Sequence, residues 1–214
     1  MKLSESLKAY KQTSYSKKTE DEKTIMQTAT ANLIKRHLED RALKKGDHIP
    51  PFELPDSTGK IVSMRKLLCD GPVIISFYRG AWCPYCNLEL AAYQELLPEI
   101  KKRGGQLIAI SPEKPDLSLD LKQQKALEFL VLTDKNNHIA KLFGIVFKLE
   151  APLLALYKKM GIDLEASQGN SLNELPLPAT YVVAPSGEII LSYINSDYTE
   201  RLEPMDAVLA LEKI

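Results

Sequence analysis

Cysteine is scarce in this chain of 214 residues, which holds only Cys69, Cys83 and Cys86. An odd set of three does not make the disulfide framework that holds small secreted domains together. The same shortage argues against a structural zinc site. A Cys-x-x-Cys pair needs two further ligands at matching spacing, and Cys69, His37, His48 and His138 are scattered along the chain. Charge of one sign is lacking as well: 28 lysines and arginines face 28 aspartates and glutamates. That balance offers no electrostatic ground for nucleic acid or an anionic membrane surface as a partner. No apolar run approaches the length that spans a bilayer, and residues 1–6 lack the apolar core of a secretory signal. The expected compartment is the cytoplasm.

What is present is concentrated in residues 77–86, which read Phe77, Tyr78, Arg79, Gly80, Ala81, Trp82, Cys83, Pro84, Tyr85 and Cys86. They follow a β-branched run (Val73, Ile74, Ile75) and precede a helical pattern with Leu88, Ala92, Leu96 and Ile100 on one face. The implied geometry is strand, short loop, helix, with Cys83 at the helix N-terminus, where free N–H groups and the helix dipole favour negative charge. A thiol so placed is expected to ionise more readily than a free cysteine. Cys86, one turn on, is within reach for a disulfide, which makes the pair a reversible dithiol switch. Trp82 in front and Pro84 at the first helical position, where a missing N–H costs nothing, argue against an inert buried pair.

Two regions are predicted. Residues 1–45 are polar, highly charged and free of glycine and proline; a helix is expected over residues 19–43, with the first 15 residues disordered. The narrow apolar stripe of that helix (Ile25, Ala29, Leu33) requires a partner surface, either its own domain or a second copy in a homodimer. Residues 46–214 form the main domain. It opens on a β-hairpin around residues 55–59 and a short helix begun by Ser63, with Cys69 between that helix and the next strand as a structural thiol. A right-handed βαβ unit then runs through residues 73–110. Ser111, Pro112 and Glu113 end its second strand, where loops carry function. Further short helices and a strand over residues 129–132 lead to an apolar insertion at residues 145–175, expected as short helices near the active-site end. A hairpin turning at residues 184–187 and a terminal helix over residues 201–213 close the chain.

With these elements in place, the chain resembles the thioredoxin-like fold, an α/β fold with a mixed central sheet flanked by helices. More narrowly it is similar to the alkyl hydroperoxide reductase/thiol-specific antioxidant (peroxiredoxin-like) family over about residues 45–193. The resemblance rests on Gly46 and Asp47 through Leu54, Gly59 and Lys60, the strand ending Ile75-Ser76-Phe77-Tyr78 before Cys83, Ser111-Pro112-Glu113, and Phe143-Gly144. It implies a thiol-dependent peroxidase in which Cys83 attacks hydrogen peroxide or an organic hydroperoxide and Cys86 resolves the sulfenic acid to a disulfide. Reduction would come from thioredoxin, glutaredoxin or glutathione, with no metal or organic cofactor.

This chain departs from the family's pattern in two places. The family carries a proline seven residues and a threonine or serine three residues before its nucleophile, where this chain has Ser76 and Gly80. It also often has an arginine before the late strand, where Pro178 stands here and resembles the cis-proline that faces the dithiol of thioredoxins. Arg79 is the expected substitute for the missing donors, and Trp82 is expected to shield the dithiol. These departures keep a second reading open, a thiol–disulfide oxidoreductase using the same Cys83-Pro84-Tyr85-Cys86 dithiol. A third, a redox sensor acting through the N-terminal helix, also remains open.

Overall fold

The computed structural model describes residues 2–214. Its centre is strand β3 (Val73–Phe77), in which all five residues are buried. Val73, Ile75 and Phe77 face one apolar cluster with Phe143 and Tyr181, and Ile74 faces a second with Leu90, Tyr93 and Ile100. A strand apolar on both faces must be central to a sheet covered on both sides. Around β3 lie β4 (Gln106–Ser111), β5 (Leu130–Thr133), β8 (Ala179–Val183) and β9 (Ile189–Ile194), in the order β5-β4-β3-β8-β9. β3, β4 and β5 run parallel, while β8 and β9 are antiparallel. The fold is therefore the expected mixed sheet flanked by helices. The opening hairpin is present as β1 (Glu53–Pro55) and β2 (Ile61–Ser63).

Helix α4 (Pro84–Lys102) crosses from β3 to β4 and buries Tyr85, Cys86, Glu89, Leu90, Tyr93, Leu97 and Ile100. The stripe Leu88, Ala92 and Leu96 is only half buried and forms the flank on which α1 (Leu3–Ser16) rests. α1 corrects the expected disorder of the first 15 residues. Leu3, Leu7 and Tyr10 recur at helical spacing and pack into the α4 cluster, and the Glu203 carboxylate accepts hydrogen bonds from the Leu3 and Ser4 N–H groups at 3.1 and 2.8 Å. That carboxylate satisfies donors that a helix start otherwise leaves open.

The long helix expected over residues 19–43 is shorter. α2 (Glu20–Lys35) starts on a Thr19/Glu22 capping box and stops where His37 takes a left-handed conformation (φ 49°), so that Leu38 and Ala42 can turn into the core. Its buried Met26 and Leu33 lie against α7 (Ala151–Lys159) of the same chain, tied by Glu22 to Lys159 (2.9 Å). The stripe thus has its partner surface within the chain.

Elsewhere the corrections are local. Cys69 sits within α3 (Met64–Asp70), exposed, and not in the link after it. α5 (Pro115–Gln124) and α6 (His138–Leu142) are as expected in place. The 145–175 insertion holds α7 and α8 (Leu164–Gln168) but also an unforeseen antiparallel ribbon of β6 (Val146–Lys148) and β7 (Glu174–Pro176). Pro178 is not a cis-proline, because every described peptide bond is trans. The Leu177 N–H donates to the Ile145 carbonyl (2.7 Å) as the chain passes from β7 directly into β8, with no tight turn for a cis bond to make. The terminal helix α9 (Pro204–Ala210) begins later than expected, leaving Arg201 in the segment before it.

Leu7→Ala is expected to lower stability by about 2–5 kcal/mol, since it empties a buried leucine site between α1 and α4. Urea unfolding checks it; a loss under half a kcal/mol would mean that α1 is not packed as described.

Candidate active site

The loop between β3 and α4 is held from both ends. The Tyr78 N–H continues the parallel ladder to the Ile110 carbonyl (3.0 Å), and the Cys83 N–H closes the loop onto the Gly80 carbonyl (3.1 Å). Cys83 occupies the N-cap of α4, Pro84 opens the helix, and Cys86 lies in its first turn. Both sulfurs are fully buried, and neither cysteine is in a disulfide.

The family's missing residues are explained by packing. Ser76 is an interior residue of β3, paired with Ala109 on one side and Thr180 on the other, a position where proline would break a ladder. Gly80 has φ 151°, and a Cβ there would come within 2.4 Å of the Trp82 indole nitrogen and 2.8 Å of a Glu113 carboxylate oxygen. The volume of a threonine is already taken. Glu113 itself is buried and accepts from the Ala81 N–H (2.6 Å) and the Ser167 hydroxyl (3.0 Å), so it braces the loop. Burial raises its carboxyl above the ordinary range, against those two hydrogen bonds.

Arg79 turns inward. It is 4 % exposed, its Nη2 donates to Cys83 Sγ at 3.3 Å, and its Nη1 donates to the Tyr157 hydroxyl at 3.0 Å. The guanidinium carbon lies 4.0 Å from the Tyr198 ring centre and 4.9 Å from that of Trp82, within cation–π range. Trp82 packs edge-on against Tyr157. Two narrow apolar crevices reach this arginine. One runs between Met26 and Leu33 of α2 and Leu153 and Tyr157 of α7; the other is walled by Tyr10 of α1, Tyr85 and Tyr198.

Behind Cys86 stands a second buried ion pair. Arg201 Nε donates to Glu89 Oε2 at 2.7 Å, and Arg201 Nη2 lies 3.6 Å from Cys86 Sγ. Neither residue stands out in the sequence. In the sequence Arg201 opens the expected terminal helix over residues 201–213, and Glu89 lies outside the Leu88, Ala92, Leu96 stripe. The available signal was a carboxylate next to Leu90 and one turn from Cys86 and Tyr93, on a face that must be apolar to pack on the sheet. Pro178 is buried immediately before β8, outside the hydrogen-bonded group of Arg79, Cys83, Cys86 and Arg201.

The electrostatics divide the two thiols. Burial alone pushes the Cys83 thiol up, but the hydrogen bond from Cys86 and the positive charges of Arg79 and Arg201 outweigh it and hold Cys83 well below the ordinary thiol range. Cys86 is held well above that range by burial, by its hydrogen bond to Cys83 and by the Cys83 charge. Of the two thiols, Cys83 is the one that ionises the more readily, facing two arginines. A buried thiolate hydrogen-bonded by a guanidinium is poised for nucleophilic attack on an electrophilic oxygen or sulfur.

The fold and site define a dithiol protein of the thioredoxin-like class. The AhpC/TSA family model matches residues 45–192, and the chain belongs to that family. Peroxiredoxin Bcp of Escherichia coli K12 is 30% identical over 103 residues, covering 48% of this chain and 65% of Bcp, just under two thirds of its length. Thiol-disulfide oxidoreductase ResA of Bacillus cereus is 24% identical over 159 residues, 74% of each chain. Among solved structures, peroxidoxin BcpB from Mycobacterium tuberculosis superposes with a TM-score of 0.64 over 80% of this chain and 98% of its own, at 22% identity. The bacterioferritin comigratory protein of Xanthomonas campestris gives 0.60 over 78% and 98%, at 15% identity. At such identities the superpositions speak to the fold.

Two outcomes check this geometry. Because the Cys83 pKa is lowered, its reactivity is present above that lowered pKa and fades as pH falls through it. Arg79→Ala is expected to move the pH profile of Cys83 oxidation towards alkaline pH and to slow oxidation about tenfold or more at neutral pH; an unmoved profile would make Arg79 a bystander. Gly80→Thr, which restores the family's hydroxyl, is expected to lose about 1–3 kcal/mol of stability through overpacking and backbone strain. A Gly80→Thr protein as stable as the parent in thermal unfolding would contradict the packing described.

Proposed function

We propose that this chain is a thiol-dependent peroxidase that reduces hydrogen peroxide or organic hydroperoxides through Cys83 and Cys86. The observation that carries the reading is the Arg79 guanidinium at 3.3 Å from a buried Cys83 sulfur, within a chain of the AhpC/TSA family. The Cys83 thiolate attacks one peroxide oxygen; the O–O bond breaks, and the departing oxyanion takes up a proton and leaves as an alcohol or water. Cys83 is then a sulfenic acid. The Cys86 sulfur attacks it, the S–S bond forms as the S–O bond breaks, and hydroxide leaves with the proton that Cys86 gave up. Two external thiol groups, attacking in turn through a mixed disulfide, supply two electrons and two protons and become a disulfide as the Cys83 and Cys86 thiols are restored; thioredoxin, glutaredoxin and glutathione are the candidate reductants. Trp82, packed over Arg79, screens the pair and presents the surface for that exchange.

In this reading residues 46–214 are the catalytic unit, and residues 1–45 are a helical extension laid across it. The site is complete in one chain, and the chemistry suits a compartment rich in thiol reductants, the cytoplasm. A second reading, thiol–disulfide exchange on protein or glutathione disulfides, is favoured by the likeness to ResA and by the dithiol spacing. The trans bond at Pro178 removes the cis-proline argument for it, while the absence of the family's hydroxyl at Gly80 still counts in its favour.

One equivalent of hydrogen peroxide is expected to consume the Cys83 and Cys86 thiols and leave Cys69 free, as read by alkylation and mass spectrometry. In Cys86→Ser, dimedone is expected to add to Cys83. If no adduct forms and peroxide oxidises Cys83 no faster than a free thiol, while glutathione disulfide reacts rapidly, the exchange reading takes its place.

A further inference from the structure

Arg201 lends only its charge to the first chemical step, yet its guanidinium is bound on every nitrogen. It is 8 % exposed. Its Nε is bound to Glu89, its Nη1 is held by the Tyr198 and Glu200 carbonyl oxygens, and its Nη2 is left for Cys86 Sγ at 3.6 Å. Such anchoring fixes one N–H towards the sulfur and removes the rotational freedom that an arginine otherwise keeps. Glu89 is 1 % exposed and lies on the same helix as both cysteines, so the pair is built into the dithiol rather than laid near it. Breaking a buried pair is costly and keeping one is seldom a gain over apolar packing, which leaves its position beside Cys86 as the feature that needs a reason. Arg201 also lies beyond residues 45–192, the part matched by the family model.

We propose that Arg201, aimed by Glu89, is a catalytic residue for the second step: it holds the Cys86 thiolate that attacks the Cys83 sulfenic acid. This rests on the peroxidase reading above. The argument follows the charges through the cycle. While Cys83 is a thiolate, it holds the Cys86 proton in their shared hydrogen bond, and Cys86 is not a nucleophile. Once Cys83 has become a sulfenic acid its negative charge is gone. The charged groups that still face Cys86 are then Arg79 from the loop and Arg201 from the segment before α9, with Glu89 beyond Arg201; Tyr78 and Tyr157 also flank the dithiol and stay neutral, their hydroxyls raised by burial. Arg201 is the donor with an N–H directed at the Cys86 sulfur. The proton released by Cys86 leaves with the hydroxide expelled from Cys83, so the step is balanced without a further reactant. Each arginine thus serves one sulfur, Arg79 for Cys83 and Arg201 for Cys86.

The test is a single-turnover experiment on the full chain. Reduced protein is mixed with excess hydrogen peroxide, and Trp82 fluorescence is followed through a first phase that depends on peroxide concentration and a second that does not. Dimedone quenching confirms the second as loss of sulfenic acid. Arg201→Gln is expected to slow the second phase about tenfold or more at neutral pH, to slow the first much less, and to move the second-phase pH profile towards alkaline pH. Glu89→Gln removes a negative charge from beside Arg201 and is expected to move the same profile towards acid pH. Opposite shifts are a signature that a merely structural pair would not produce. Should Arg201→Gln fail to fold, the direction of the Glu89→Gln shift decides alone. A wild-type first phase followed by a second phase unmoved by either substitution overturns the role of Arg201 while leaving the peroxidase reading intact. A wild-type protein with no peroxide-dependent first phase overturns that reading, and the inference with it.

Discussion

A negatively charged sulfur buried out of water is the constraint around which this molecule is built. Desolvation favours the neutral thiol, so the site must supply more favourable interaction than burial removes. It does so with the Arg79 N–H at 3.3 Å, the Cys86 hydrogen bond and the more distant charge of Arg201. Arg79 in turn needs compensation for its own burial, and finds it in the thiolate, the Tyr157 hydroxyl and the Tyr198 and Trp82 rings. Arg201 has Glu89. The buried charges thus stand as two opposed pairs, Arg79 with Cys83 and Arg201 with Glu89, the condition under which such ions are tolerable in a protein interior.

The fold serves this cluster from several directions. The parallel β3–β4 pair and helix α4 place the dithiol at the strand ends, the β6–α7–α8–β7 insertion contributes Tyr157 and Ser167, and the segment before α9 contributes Tyr198 and Arg201. The N-terminal helices close the remaining side. Tyr10 of α1 packs edge-on against Tyr85 (5.1 Å), and Tyr85 likewise against Tyr198 (5.6 Å), so the aromatic wall of one crevice is continuous from the first helix to the segment before α9. A site assembled from so many parts of the chain loses its order if any one of them loosens, and the apolar packing of α1 and α2 is therefore linked to the chemistry.

Much of this was legible from residue order. Local signals fixed the elements around the dithiol: the β-branched run through Ile75, the proline at Pro84 and the turn glycines. Helical spacing placed Cys83 at a helix start. The errors came where tertiary contacts overruled local pattern. Leu3, Leu7 and Tyr10 are too few to signal a helix alone, yet they suffice once α4 offers a surface. His37 breaks α2 because Leu38 and Ala42 are drawn into the core. Arg79 could be singled out because it stands four residues from Cys83. Arg201, more than a hundred residues from Cys86, could not, since only the fold brings them together. The expected cis-proline rested on analogy with thioredoxins, and the extended passage from β7 into β8 has no use for it.

The most direct test of the charged-sulfur account is the ionisation of Cys83 itself. Thiolate absorbance in the ultraviolet should be titrated in the reduced protein, with Cys83→Ser subtracted to isolate its contribution. The account expects Cys83 to ionise well below the ordinary thiol range, with Cys86 still protonated there. A Cys83 that titrates within or above that range would contradict it, because Arg79 would then be facing a neutral thiol and the buried cluster would lack the anion on which its balance depends.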